Sequence, residues 1–400
     1  MAIGFRTLTR CAVATGAMLM VTTVTAFRAV SQSAAVPPLP TGAAVTRADL
    51  GAAYLRLDKA YAAASLDDST RRTINQQFDR STLSFFTGRF AAAVAGVDSA
   101  TVALTGSAIA PAPFALPRLV NGRAPSVARD AFLARLATID TTGPLAQAFV
   151  SARARAELLV DVPSRERSAE FLSDPAQLAR DLAHEVGVLE RGRDPYVGQA
   201  GDLWRVFRGA NGVLIPLRIV APAAAATSGT PVPVLIALHG AGGDENMFID
   251  AYGQGVIATL ALAANTIVVS PATSAFGVSP ANFDSLMAVL RSEYRVNTAR
   301  VYVLGHSMGA GVAARLAQQR PQQITAVACL AGGSAVAVPN APPIMFISAA
   351  LDPIAPPRIV EAAANGTPTA TYRVLANEGH TLMVGNGVRM ALPWLLAHRP

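Results

Sequence analysis

Residues 301–311 read VYVLGHSMGAG, an apolar run that breaks into two glycines flanking one serine. Residues 301–304 suit a buried parallel strand, and Met308–Gln319 has the apolar spacing of a helix. G-x-S-x-G alone is a weak pattern in a chain with 31 glycines, but strand, sharp turn and helix in that order is the setting a nucleophile elbow requires. Such a turn strains the serine backbone, and only residues without a Cβ let strand and helix approach so closely. That gives Gly305 and Gly309 a physical reason to be there. The alternative is an ordinary strand-to-helix turn.

Outward from Ser307 the chain alternates. Two β-like runs, 203–208 and 213–220, surround the turn GANG at 209–212 and read as a hairpin. Strand-like runs follow at 232–238, 266–270, 301–304, 324–330, 344–348 and 371–375, with helical candidates near 245–263, 281–294, 308–319, 356–364 and 387–397. An opening hairpin followed by β-α alternation predicts an α/β fold: a mostly parallel sheet with helices on both faces, preceded by an all-α N-terminal region. Active residues then belong at the carboxyl ends of strands.

A serine hydroxyl is a poor nucleophile at neutral pH and needs a base, which in turn needs an orienting acid. Of the five histidines, only His380 and His398 follow Ser307. His380 lies in the loop NEGHTL just after a strand, whereas His398 lies beyond the last helix, so His380 is the candidate base. Three acids follow Ser307. Asp352 comes directly off the strand IMFIS, Glu361 lies within a helix, and Glu378 is too close to His380 in the loop to orient it easily, although it can act behind it. Asp352 is therefore the candidate acid, with an Asp-Pro turn as its plain structural alternative.

An attacked carbonyl also needs donors for its oxygen. LIALHGAGGDEN places glycines straight after a strand, so the backbone amides of Ala241 and Met308 are the candidate oxyanion donors. A tight glycine turn ahead of a helix capped by Asp244 is compatible with that role. His239, Gly240 and His306 read as supports. The third glycine of G-x-G-x-x-G is replaced by Glu245, and neither HExxH nor paired Cys-His spacing occurs, which speaks against a nucleotide and a metal. PATSAFGVSPANF at 271–283 is a candidate border of the entrance.

Together the HGAGGD segment, VYVLGHSMGAG, the Asp352 loop and EGH resemble the α/β-hydrolase superfamily, most closely secreted esterases grouped with polyhydroxybutyrate depolymerases, feruloyl esterases and dienelactone-hydrolase-like carboxylesterases. The resemblance covers about residues 200–400. It implies Ser307 as nucleophile, Asp352 and His380 as partners, a small-molecule or polymeric ester as substrate, and no cofactor. The chain lacks the paired cysteines common in depolymerases and feruloyl esterases, and residues 45–195 match no family pattern.

The chain has 400 residues, 52% hydrophobic and 15% charged, enough for a large core. Arg6 and Arg10 precede an uncharged apolar stretch, residues 11–27, ending near VTA, which is the layout of a signal peptide at 1–31 and predicts a periplasmic or extracellular protein. An uncleaved membrane anchor is the alternative; after cleavage no stable membrane span is expected. Residues 32–44, with PPLP, read as a linker, 45–195 as a helical region and 196–400 as the catalytic domain. Within the helical region, helices are expected at 47–66, 69–96, 126–139, 144–160 and 164–190. Loss of the leader removes three arginines from a net charge of +7, too mild a balance to argue for nucleic acid, and leaves Cys329 without a disulfide partner. The sequence leaves the oligomeric state open.

The expected activity is serine carboxylic-ester hydrolysis. A prolyl-oligopeptidase-like peptidase shares the elbow, but no propeller-like repeat precedes it. A non-catalytic binding protein on the same scaffold is the rival from another class.

Overall fold

In the computed structural model, residues 45–109, 119–140, 143–161, 174–227 and 229–399 are described. The expected signal peptide at 1–31 and linker at 32–44 lie outside them. The described residues form one compact unit.

Eight strands make a single sheet in the order β1-β2-β4-β3-β5-β6-β7-β8. They are β1 (Gly201–Arg208), β2 (Leu214–Ala221), β3 (Val232–Leu238), β4 (Ile267–Pro271), β5 (Val296–His306), β6 (Ala326–Leu330), β7 (Ile344–Ala349) and β8 (Ala370–Leu375). β1 and β2 form the antiparallel hairpin around the 209–212 turn, β2 pairs antiparallel with β4, and every later pairing is parallel. This is the α/β-hydrolase fold expected from the sequence. All seven residues of β3 are buried, because a central parallel strand is covered on both faces.

Side-chain alternation splits that burial between two cores. Leu235, Ala237, Tyr302, Leu304, Ala328 and Ile347 face one side. Val234, Ile236, Val303, Val327 and Phe346 face the other. The second side is covered by helices that follow strands, among them residues 281–293, 308–319 and 357–365. The first is covered by a late helix, Met383–Ala397, and by helices from the N-terminal region.

That region begins with α1 (Arg47–Ala63), α2 (Asp68–Phe86) and α3 (Phe90–Thr105). Asp49 accepts the Thr46 amide at 2.7 Å, the reciprocal bond of a capping box, and Asp67 caps α2 by accepting the Thr70 amide at 2.6 Å. The single helix expected at 69–96 is two, because Gly88 takes φ +73° and ends the first. Likewise the stretch expected as one helix at 245–263 is broken by positive φ at Gly253, Gln254 and Gly255. α4 (Pro125–Leu136), α5 (Ala146–Ala156) and α6 (Pro175–Glu190) follow; the part of the expected 164–190 helix that falls in 162–173 lies outside the described residues.

None of these helices stands apart from the sheet. Ala53, Tyr54, Leu57, Ile74, Phe78 and Val97 of α1–α3 share one core with Leu235 and Leu304 of β3 and β5. α4–α6 close a third core with Trp204 and Val206 of β1. Arg155 of α5 donates to Glu185 (3.0 Å) and to the Trp204 carbonyl (2.8 Å).

Leu57 is fully buried, so Leu57→Ala is expected to lower stability by about 2–5 kcal/mol. Both tryptophans, Trp204 and Trp394, lie outside α1–α3. Urea unfolding followed by tryptophan fluorescence should therefore show the midpoint shift if α1 shares the sheet's core, and no shift if it melts on its own.

Candidate active site

Ser307 stands between the carboxyl end of β5 and the next helix, α7 (Met308–Gln319), with φ 54° and ψ −115°. A non-glycine residue in that region is strained, and the surroundings hold it there. The Ser307 amide donates to the Leu330 carbonyl at the end of β6, 2.8 Å away. A Cβ on Gly305 would overlap the Gly309 carbonyl, and one on Gly309 would overlap the Leu238 carbonyl of β3. The two flanking glycines are thus required by close backbone approach.

The structure brings three of the sequence candidates into contact. Ser307 Oγ lies 2.9 Å from His380 Nε2, and His380 Nδ1 lies 2.7 Å from Asp352 Oδ2. Asp352 follows β7 and His380 follows β8, so all three sit on the carboxyl edge of the sheet. The other Asp352 oxygen accepts the Ile354 and Ala355 amides, each at 2.8 Å, so the tight turn after Asp352 and its contact with His380 coexist. With three donors the buried carboxylate is well solvated by the protein. That favours an Nδ1–H imidazole with its Nε2 lone pair toward the serine hydroxyl. His398 is elsewhere, its ring 4.3 Å from that of Trp394.

His306 supports His380 from behind. Its Nε2 donates to the His380 carbonyl at 2.9 Å and its Nδ1 accepts from the Tyr252 hydroxyl at 3.0 Å. Burial, and then the nearby His380, hold its pKa well below the usual imidazole range, so it stays neutral and keeps both bonds. His239 donates from Nδ1 to the Gly240 carbonyl (2.8 Å) and accepts the Thr273 amide at Nε2 (2.9 Å), which fixes the start of the glycine loop. Gly240 lies against the His306 ring, where a Cβ would stand 2.8 Å from Nδ1. Ala241 lines a cavity beside Ser307. Met308 opens α7, where first-turn amides have no intrahelical acceptor.

That cavity, about 130 Å³, is bordered by Ser307, His380 and residues 241–244 on one side and by α1 and α2 on the other. The 271–283 stretch does not border it; Phe276 and Phe283 are buried in the second core. Among the described residues no cluster of His, Cys, Asp and Glu could hold a metal ion.

The loop that carries His380 is gripped by residues that sequence reasoning missed. On α2, Asn75 accepts the Gly379 amide at 2.7 Å, and Asp79 accepts the His380 amide at 2.9 Å. Tyr61 donates to Glu378 (3.1 Å), as do Arg71 (3.2 Å) and Asn386 (2.7 Å), so Glu378 faces the N-terminal helices. Nothing in the sequence pairs residues 301 positions apart. The Asn75/Asp79 spacing of one helical turn is their only local signature.

Residues 272–383 match the family model described as "Serine aminopeptidase, S33". Similar solved structures include a thermostable esterase, 20% identical, covering 50% of this chain and 63% of its own length, with a TM-score of 0.39. An S-formylglutathione hydrolase from Agrobacterium tumefaciens is 15% identical over 50% of this chain and 97% of its own, with a TM-score of 0.42. Est1E from Butyrivibrio proteoclasticus is 11% identical over 50% and 100%, with a TM-score of 0.38. The chain spans under two thirds of the thermostable esterase. No curated protein matches it in sequence. The strand order and the strained serine turn are those of an α/β-hydrolase fold, and the part of the chain that carries them overlaps the match to a serine-hydrolase family model.

Burial raises the Asp79 carboxyl from its usual 3.8 to about 7, opposed by its bonds to the His380 amide and reinforced by the charge of Asp352. The folded state therefore binds this proton more tightly than the unfolded state. Ionised Asp79 costs stability progressively as pH rises from about 4, and the cost is complete above about 7. In Asp79→Asn it is absent, so the variant's stability relative to the parent should rise across that window by on the order of 4 kcal/mol and then level off. Urea unfolding of both proteins at pH 4.5 and pH 8 measures it; a gap that does not change with pH contradicts the assignment.

Proposed function

We propose that the protein is a carboxylic-ester hydrolase that works through an acyl-enzyme. The observation that carries this reading is the continuous relay from Ser307 Oγ through His380 to Asp352, at 2.9 and 2.7 Å, beside a largely apolar cavity. In this reading Ser307 Oγ attacks the ester carbonyl carbon while His380 Nε2 takes its proton, and Asp352 steadies the resulting imidazolium. The Ala241 and Met308 amides stabilise the oxyanion. Collapse of the tetrahedral species breaks the bond to the alcohol, which leaves with the proton from Nε2. Water then repeats the sequence on the acyl-serine, releasing the acid and restoring the hydroxyl. His239, Gly240 and His306 hold the two halves of the site in register.

The reading includes export to the periplasm or beyond, which rests on the arginines and apolar stretch of residues 1–31. No helix among the described residues is long and apolar enough to cross a membrane. A peptidase reading draws on the description of the matching family model. An aminopeptidase needs an acid free to take the substrate's α-ammonium. One acid, Asp244, borders the cavity with an oxygen accepting the Asn246 amide at 2.9 Å, so hydrolysis of aminoacyl anilides against esters separates the two readings.

Ser307→Ala is expected to lower kcat/KM on p-nitrophenyl acetate by at least about 10⁴-fold with an unchanged circular-dichroism spectrum. A fluorophosphonate probe should label the parent and not the variant. Undiminished hydrolysis by the variant, or cleavage of aminoacyl anilides in preference to esters by the parent, would overturn the reading.

A further inference from the structure

The face of the cavity opposite Ser307 is not built by the sheet and its crossovers. It comes from α1 and α2, through Tyr54, Phe78, Thr82 and Phe85. Part of this wall is a connected aromatic cluster: Tyr54 and Phe78 have ring centroids 5.5 Å apart, and Tyr54 lies 6.3 Å from Tyr252. Phe85 sits directly on the glycine loop. A Cβ on Gly242, which has φ +82°, would stand 2.5 Å from its Cε1. Phe85 therefore packs against the glycine loop next to Ala241, and it and Ser307 line the same cavity.

We propose that α1 and α2 form an acyl-binding pocket sized for a compact apolar acyl group, a butyryl chain or a single aryl ring, and that this enzyme discriminates against long-chain esters. The inference rests on the ester-hydrolase reading and adds the substrate class. A closed apolar cavity of ~150 Å³ holds a benzene-sized guest; here about 130 Å³ beside Ser307, open to solvent on one side, is the sheltered room for an acyl group. Apolar walls give affinity to such a group through burial alone.

Rates on p-nitrophenyl acetate, butyrate, benzoate, octanoate and laurate test it. kcat/KM is expected to peak at butyrate or benzoate and to fall about tenfold or more by laurate, since each methylene beyond a pocket's end is strongly disfavoured. Phe85→Ala removes the end wall and should raise the octanoate-to-butyrate ratio about tenfold; Phe78→Ala should move it in the same direction and serves where the first variant is unstable. A flat chain-length profile in the parent, or ratios within twofold of the parent in both variants, overturns the pocket while leaving the esterase reading intact. Absence of hydrolysis of every ester removes the reading itself and this proposal with it.

A separate observation carries a second inference. Asp79 is 2% exposed, and its Oδ2 accepts the His380 amide. One turn earlier, Asn75 takes the neighbouring Gly379 amide, and a Cβ on Gly379 would run into the Asp79 carboxylate. We infer that Asp79 is a positioning residue, holding the His380 backbone so that its ring reaches Ser307.

Asp79→Ala is expected to lower kcat about 10- to 100-fold with KM within twofold, and Asp79→Asn, which keeps an acceptor oxygen, should restore kcat to within about threefold. Parental kcat in the alanine variant overturns the inference, as does failure of asparagine to restore it in a folded protein. Where Asp79→Ala does not fold, Asn75→Ala against Asn75→Asp reads the adjacent amide by the same criteria.

Discussion

A residue in a loop has no repeating lattice of hydrogen bonds to fix it, and His380 lies in such a loop, five residues beyond the end of β8. Its imidazole stays 2.9 Å from Ser307 Oγ because the residue is held at every polar atom it has. Asp352 takes Nδ1, Ser307 meets Nε2, His306 donates to the carbonyl, and Asp79 accepts the amide. The four partners come from the loop after β7, the turn after β5, the end of β5 itself, and α2. A buried backbone group left without a partner is costly. Each of these bonds therefore fixes orientation, and losing any one leaves a buried group unmatched.

This hold ties the N-terminal helices to the site. α1 and α2 bury Tyr54, Leu57, Ile74 and Phe78 in the same core as β3 and β5. They also place polar side chains into an otherwise apolar junction: Asp58 accepts the Gln254 amide at 2.8 Å, and Tyr61 and Arg71 reach Glu378. Asp58 is raised to about 6 by burial, a smaller version of what happens at Asp79. Buried acids at a helix junction are poor sources of stability but strong constraints on register. The junction fixes where α2 sits along the sheet edge, and the cavity wall depends on that placement.

The sheet was legible because its strands are continuous apolar runs and its helices have regular spacing; the hairpin at 201–221 and the strand-turn-helix at 296–319 follow from local pattern alone. Chain order then nominated His380 and Asp352, since few titratable residues follow Ser307. What stayed hidden was everything set by long-range packing. Asn75 and Asp79 look like ordinary polar positions of an amphipathic helix, and Phe78 and Phe85 look like ordinary core. Gly88 lies inside the run expected as one helix at 69–96, yet its left-handed backbone ends α2 and lets α3 turn back. A helical pattern also says which face is buried, but not against which part of the chain.

The two functions of α2 are mechanically linked. Positions 75, 78, 79, 82 and 85 recur at three- and four-residue intervals, so they share one side of the helix. Phe78, Thr82 and Phe85 border the cavity, while Asn75 and Asp79 hold the Gly379 and His380 amides. On the readings proposed above, an acyl group too large for the cavity presses on the same rigid element that aims the imidazole. Close-packed interiors transmit such a displacement instead of absorbing it. Misfit then weakens proton transfer as well as binding, and size selectivity appears in kcat and not in KM alone. A helix attached only at a loop tip would swing aside; this one is locked into the sheet's own core through Ile74 and Phe78, so a poorly fitting substrate has to work against the fold itself.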